Sequence, residues 1–135
     1  MNLLVNIDVP DLARAIAFYG DAFGLRVSRR LGPDVAELSG WAAPVYLLHK
    51  STGAYGAVGS VRTYERHWTP IHFAVVVDLI ADALARALAA GARAETDIRV
   101  ETWGKIVTLA DPFGHGFCLI EFWGRGYDEI AYPAA

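Results

Sequence analysis

Asp11 and Asp78 stand 67 residues apart, and Gly24 and Gly91 repeat the same interval. Each aspartate precedes a stretch of helical character and each glycine follows one, so the two intervals outline two helices of similar length. Ahead of the first helix, LLVNIDV at residues 3–9 alternates apolar with polar residues and reads as a half-buried strand. Leu12, Ile16, Tyr19 and Phe23 then supply an apolar helical stripe. Strand candidates follow at 26–30, at 35–38 and in PVYLLHK from Pro44. The second half copies this order. Residues 71–77 form an apolar strand, Asp78 is the expected cap of an Ala/Leu-rich helix over 79–90, and strands are predicted around 94–100, 105–110 and 117–123.

The order strand–helix–strand–strand–strand thus occurs twice. A unit of this kind has a sheet face that it cannot bury alone, so two such units are expected to pack together or on another chain. The expected fold is α+β, with paired βαβββ modules forming curved mixed sheets around a ligand cleft. Residues 1–50 are read as the first module, 51–68 as a connecting loop, 69–124 as the second module and 125–135 as a C-terminal tail, all within a single domain 1–135. STGAYGAVGS, residues 51–60, is read as a flexible loop or linker because Gly, Ser and Ala dominate it.

Composition narrows the function classes. A hydrophobic fraction of 54% against 20% charged residues argues for a packed domain over disorder. The formal net charge of -3 supplies no cationic footprint, so neither nucleic acid nor a membrane surface is an expected partner. A single cysteine excludes an intrachain disulfide and a multi-cysteine metal cluster. With no signal-peptide pattern at the start, the expected setting is cytoplasmic.

In VPDLARAIAFYGDAFGL at 9–25, IHFAVVVD at 71–78, AAGA at 89–92 and TWGKIVTLADPFGHGFCLIEF from Thr102, the chain resembles the vicinal oxygen chelate superfamily, which contains glyoxalase I, extradiol dioxygenases and bleomycin-resistance proteins. The resemblance covers nearly the whole chain and implies a ligand cavity, homodimers in many members, and four metal-ligand positions in those that use a metal. Mapped onto this sequence, those positions fall at Leu4 or Val5, in the 46–48 region, at His72 and at Cys118. Only His72 and Cys118 offer donors, an incomplete set for hard, oxygen-chelating chemistry. No cofactor is therefore expected. A divalent metal held by a rearranged set, Asp8, His49 and His72, is the alternative.

The ligand-binding candidates are His72, Asn6, Asp8, Tyr46, Trp68, Trp103, Phe113 and Cys118. His72 reads either as a core-edge histidine sharing a strand face with Ala74 and Val76 or as a polar anchor, with proton transfer open to its imidazole. Tyr46, Trp68, Trp103 and Phe113 read either as core or as walls for a flat ligand. Trp41 lies in a connection where a structural need for indole is not evident. Cys118 reads first as a small buried hydrophobe. Glu121, on the opposite strand face, is expected to meet solvent or a boundary, and Glu101 to be a surface carboxylate. Asp111–Gly116 is expected to be a tight turn, which makes His115 a poor catalytic candidate.

Three functions compete on these residues. The leading one is metal-independent binding or sequestration of a small organic molecule, in the manner of bleomycin-resistance proteins. The alternatives are a glyoxalase-like lyase, isomerase or dioxygenase with a rearranged metal site, and a metal-free enzyme using His72. A homodimer is expected, with Tyr127, Ile130 and Tyr132 docking on this domain or on a partner subunit.

Overall fold

The computed structural model describes residues 1–133 and divides into two compact units, Met1–Glu65 and Arg66–Ala135. The last two residues of the tail assigned to 125–135 lie outside the described ones. Each unit holds one α-helix and one open mixed sheet; the first follows the βαβββ order, and the second follows it with its second strand split in two.

In the first unit β1 (Val5–Val9) leads into α1 (Leu12–Phe23), followed by β2 (Arg26–Arg30), β3 (Val35–Ser39) and β4 (Val45–His49). Asp11 caps α1 as its position implied: its Oδ1 accepts from the Arg14 amide at 3.0 Å. Gly24 ends the helix at φ 71°, in the left-handed region that favours glycine. Leu12, Ala15, Phe18, Tyr19 and Ala22 bury the stripe. Trp41 completes this core, edge-on to Phe23 at 5.2 Å and to Tyr19 at 6.3 Å. The indole that had no evident structural purpose thus closes the aromatic cluster at the end of α1.

The sheet order is β1-β4-β3-β2, with β1 parallel to β4 and the other pairs antiparallel. Ile7, Val9, Ala36, Leu38, Val45 and Leu47 are buried on one face. Asn6, Asp8, Tyr46 and Glu37 belong to the other by register. The edge strand β2 is exposed throughout, and its three arginines guard that edge against pairing with another chain. Residues 51–62 are more ordered than their composition suggested. Tyr55 and Val61 form a bridge, the Gly53 amide donates to the Arg62 carbonyl and the Arg62 amide to the Ala54 carbonyl, making a hairpin.

In the second unit β5 (Phe73–Val76) precedes α2 (Ile80–Ala90), then β6 (Arg93–Ala94), β7 (Arg99–Glu101), β8 (Gly104–Ala110) and β9 (Gly116–Phe122). The order is β5-β9-β8-β6, with β7 also on β8. Three expectations are corrected. First, the strand expected over 71–77 is shorter, and His72 lies ahead of it. Thr69 donates its hydroxyl to the Ile71 carbonyl at 2.7 Å, which bends the chain just after Pro70. Second, the strand expected over 94–100 is two short strands. Between them Thr96 Oγ1 takes the Thr108 amide at 3.0 Å and interrupts the ladder.

Third, Asp78 does not cap α2. The N-cap is Leu79, whose side chain accepts nothing, and Glu121 of β9 reaches across to take the Ile80 amide at 2.8 Å. Of the two positions expected for Glu121, solvent or a boundary, the structure gives a half-buried one between sheet and helix. A negative oxygen from a neighbouring strand serves the helix's positive end as a local cap would.

DPFGHG forms the expected turn. Asp111, only 2% exposed, accepts from the Phe113 and His115 amides at 2.8 and 2.9 Å. Gly114 takes φ 88° there.

Candidate functional site

The registers of the second sheet assign its two faces. Phe117, Leu119 and Glu121 face α2, whereas Gly116, Cys118 and Ile120 face away from it, in line with Thr108 and Ile106 on β8 and with Ala74 and Val76 on β5. At the Gly116 end, the segment preceding β5 folds over this second face. A Cβ built on Gly116 would stand 2.6 Å from Arg66 Nη2 and 2.7 Å from Trp68 Cζ3. The glycine is there because two side chains occupy the space a larger residue would need.

Arg66 is fixed in that place. Its Nε and Nη2 bind Glu95 Oε2 and Oε1 at 2.7 and 2.6 Å, a two-pronged pair between partly buried groups. The guanidinium bonds hold the Glu95 carboxyl below its ordinary range, and the carboxylate in turn raises Arg66. The guanidinium lies 5.4 Å from the Trp68 ring centre, and the His72 ring lies 4.5 Å from it. Carboxylate, guanidinium, indole and imidazole thus form a continuous array. Trp68 remains 45% exposed, so it presents aromatic surface while its position is set from beneath and from the side. Trp68 and His72 are legible as candidates; Arg66 is visible only as a sequence neighbour of Trp68 and Gly116 only as the end of the 111–116 turn, and Glu95 gives no signal.

The other candidates are placed elsewhere. Trp103 follows β7 and packs with Phe122 at 6.0 Å and Tyr127 at 5.0 Å. Phe122 and Gly116 are opposite ends of β9, about 20 Å apart at the rise of an extended strand. Trp103 and Trp68 therefore stand near opposite ends of β9. Tyr127 docks on its own unit, while Ile130 and Tyr132 are exposed. Phe113 is 3% exposed and belongs to the core beside the Asp111 turn. Cys118 is buried with its Sγ 3.5 Å from Thr108 Oγ1.

In the first unit, Glu37 binds Arg29 through both oxygens at 2.9 Å and accepts from Tyr46 at 2.5 Å and Ser28 at 2.7 Å. Arg29, then the Tyr46 and Ser28 hydroxyls, hold its carboxyl at about 2. Asp8 takes Arg62 Nε at 2.6 Å, and Arg62 also donates to the Tyr55 carbonyl, which ties the 51–62 hairpin to the sheet. Burial, and then the charge of Asp8, raises Tyr64 above its ordinary value. Asn6 stands in register with Tyr46 on the same face.

The residues at the implied metal positions do not fit a hard divalent ion. Leu4 is exposed ahead of β1, Tyr46 is spent on Glu37, and Cys118 and His72 offer a thiol and an imidazole without carboxylate support. The rearranged set also fails in its first-unit part. An unbroken register pairs Val9 with His49, so His49 takes the strand face opposite Asp8; it meets Asp34 at 3.3 Å, and Asp8 meets Arg62. Among the described residues, no three His, Cys, Asp or Glu side chains gather where they could hold a metal ion.

The sequence profile of the glyoxalase-like domain matches residues 4–120. Among solved structures, a glyoxalase-related enzyme from Fulvimarina pelagi superposes with a TM-score of 0.71 at 19% identity, over 90% of this chain and 87% of that one. The fosfomycin resistance protein FosX from Listeria monocytogenes gives 0.70 at 16%, covering 93% and 95%. A lactoylglutathione lyase from Agrobacterium tumefaciens gives 0.62 at 19%, covering 90% and 92%. At these identities the likeness carries the fold alone. Comparison with curated proteins returns no match.

Proposed function

The chain belongs to the glyoxalase-like family of the vicinal oxygen chelate superfamily, and from that premise we propose that it binds or sequesters a small organic molecule without a metal. The observation that carries this reading is the platform at Gly116. A glycine, a two-pronged ion pair and an imidazole together hold one partly exposed indole in place. Such preorganisation favours capture, because little freedom is left to lose when a flat ligand stacks on Trp68. His72 supplies the adjacent polar contact.

The donor chemistry also favours binding over metal catalysis. A glyoxalase-like lyase, isomerase or dioxygenase is the competing assignment, and no observed cluster of side chains favours it. A thermal-shift screen of metal-stripped protein against small aromatic compounds tests the proposal. Ligands that raise the melting temperature and quench tryptophan emission are expected, with no comparable gain from Ni, Zn, Fe or Mn. A large gain from one of those metals, together with stoichiometric metal in protein purified without chelator, would overturn it.

We further propose that the protein acts as a cytoplasmic homodimer. Ile130 and Tyr132 are 55% and 98% exposed and give a partner apolar surface to cover. Among the described residues no helix is long and apolar enough to cross a membrane. Light scattering should return twice the 14.7 kDa chain mass; a monomer at working concentration would contradict the dimer.

A further inference from the structure

The second-unit face that carries Trp68 is apolar along its middle and cationic at its outer side. Successive rows across it are Ala74–Cys118–Thr108 and Val76–Ile120–Ile106–Arg99. A third row runs from Gly116 through Ala110 to Arg93. The floor beneath the indole therefore offers little hydrogen-bonding capacity beyond Thr108, so specificity for a polar group must come from the rim.

The rim's charges do not cancel. Arg66 is neutralised by Glu95 at 2.6 Å. Arg93 and Arg99 share the face, are exposed, and enter no ion pair among the described residues. Arg93 acts on Glu95 only through space, helping to hold that carboxyl low. The one remaining carboxylate assigned to the face by register is Glu101, opposite Gly104. Among the residues that register and the Arg66–Glu95 pair assign to this face, three arginines stand against two glutamates, in a chain whose formal charge is -3. Arg93 lies two strands from Gly116 in the same row, about 10 Å at ordinary strand spacing. A bicyclic ring stacked on Trp68 and an extended arginine side chain span that interval.

Resting on the binding reading above, we infer that the ligand class is a flat aromatic anion, its ring on Trp68 and His72 and its carboxylate, sulfonate or phosphate group toward Arg93 and Arg99. Arginine suits this role because its planar fork matches such groups and stays charged at every working pH.

Calorimetric titration of the full chain with three matched probes tests the inference: 2-naphthoate, neutral 2-naphthamide and cationic 2-naphthylmethylammonium. Naphthoate is expected to bind at least about tenfold more tightly than the amide, and the ammonium most weakly. The preference should collapse in about 0.5 M NaCl and in the Arg93→Gln/Arg99→Gln double variant. Trp68→Ala should weaken all three. Amide and naphthoate binding within about twofold of each other, or a preference that survives the double variant, overturns the inference and leaves the binding reading standing. Failure of all three probes to bind overturns both.

Discussion

Replacing Gly116 with alanine should dismantle the platform while leaving the fold intact. The added methyl would stand 2.6 Å from Arg66 Nη2 and 2.7 and 2.8 Å from two carbons of the Trp68 ring, where ordinary contact begins at 3.4 Å. Ring and guanidinium must therefore retreat by roughly 0.6–0.8 Å or the backbone must move. Arg66 resists, because retreat loosens its two bonds to Glu95. Trp68, 45% exposed, can swing toward solvent. Overpacking of this kind costs about 1–3 kcal/mol, and relief by the exposed indole places the expected loss near the lower end. The expected result is a variant that unfolds cooperatively a few degrees below wild type, with Trp68 emission shifted to the red and ligand quenching sharply reduced. Chemical denaturation read by far-ultraviolet dichroism gives the first quantity. Emission spectra in a background with Trp41, Trp103 and Trp123 replaced by phenylalanine give the second. Wild-type emission and quenching in Gly116→Ala would refute the claim that the glycine positions the indole.

Glu121→Ala removes the charged acceptor of the Ile80 amide and should destabilise the protein by about 1–2 kcal/mol in urea titration; Asp78→Ala should change it by less than about 0.5 kcal/mol. Glu37 has its carboxyl lowered from 4.5 to about 2 in the folded chain, so the unfolded chain binds the extra proton between those values. Its stabilising effect is thus complete above about 4.5 and fades as pH falls toward 2. Urea unfolding in that interval should show a flatter acid limb in Glu37→Gln than in wild type. Trp41→Ala empties part of the α1 core and should cost about 2–3 kcal/mol without changing ligand affinity, as paired melting and binding curves would reveal.

What was legible in the sequence had local causes. Asp11 before a helical stripe and glycine after it act within one turn, and both behave as their chemistry dictates. The repeated order of elements follows from patterning, and it survives the shift of individual boundaries. The illegible parts depend on groups distant in the chain. Glu121 caps a helix 41 residues away, an arrangement no capping motif encodes. His72 leaves its strand because a threonine three residues earlier bonds around the bend. The site divides the same way. Trp68 and His72 were conspicuous by type and position, whereas Arg66 and Glu95 matter through a pairing across 29 residues. Trp103 reads in the sequence as core or as ligand wall, and its packing partner Tyr127, 24 residues away, gives no local signal.

Tryptophan-fluorescence titration of chelator-treated protein, with a ligand drawn from the thermal-shift screen, decides whether Trp68 receives the ligand without metal. Wild type, Trp68→Phe and Trp103→Phe should be compared side by side. Saturable quenching without added metal is expected in wild type and Trp103→Phe, and its loss in Trp68→Phe. Quenching that appears only after a divalent metal is restored, or that vanishes with Trp103 and persists without Trp68, would contradict that expectation.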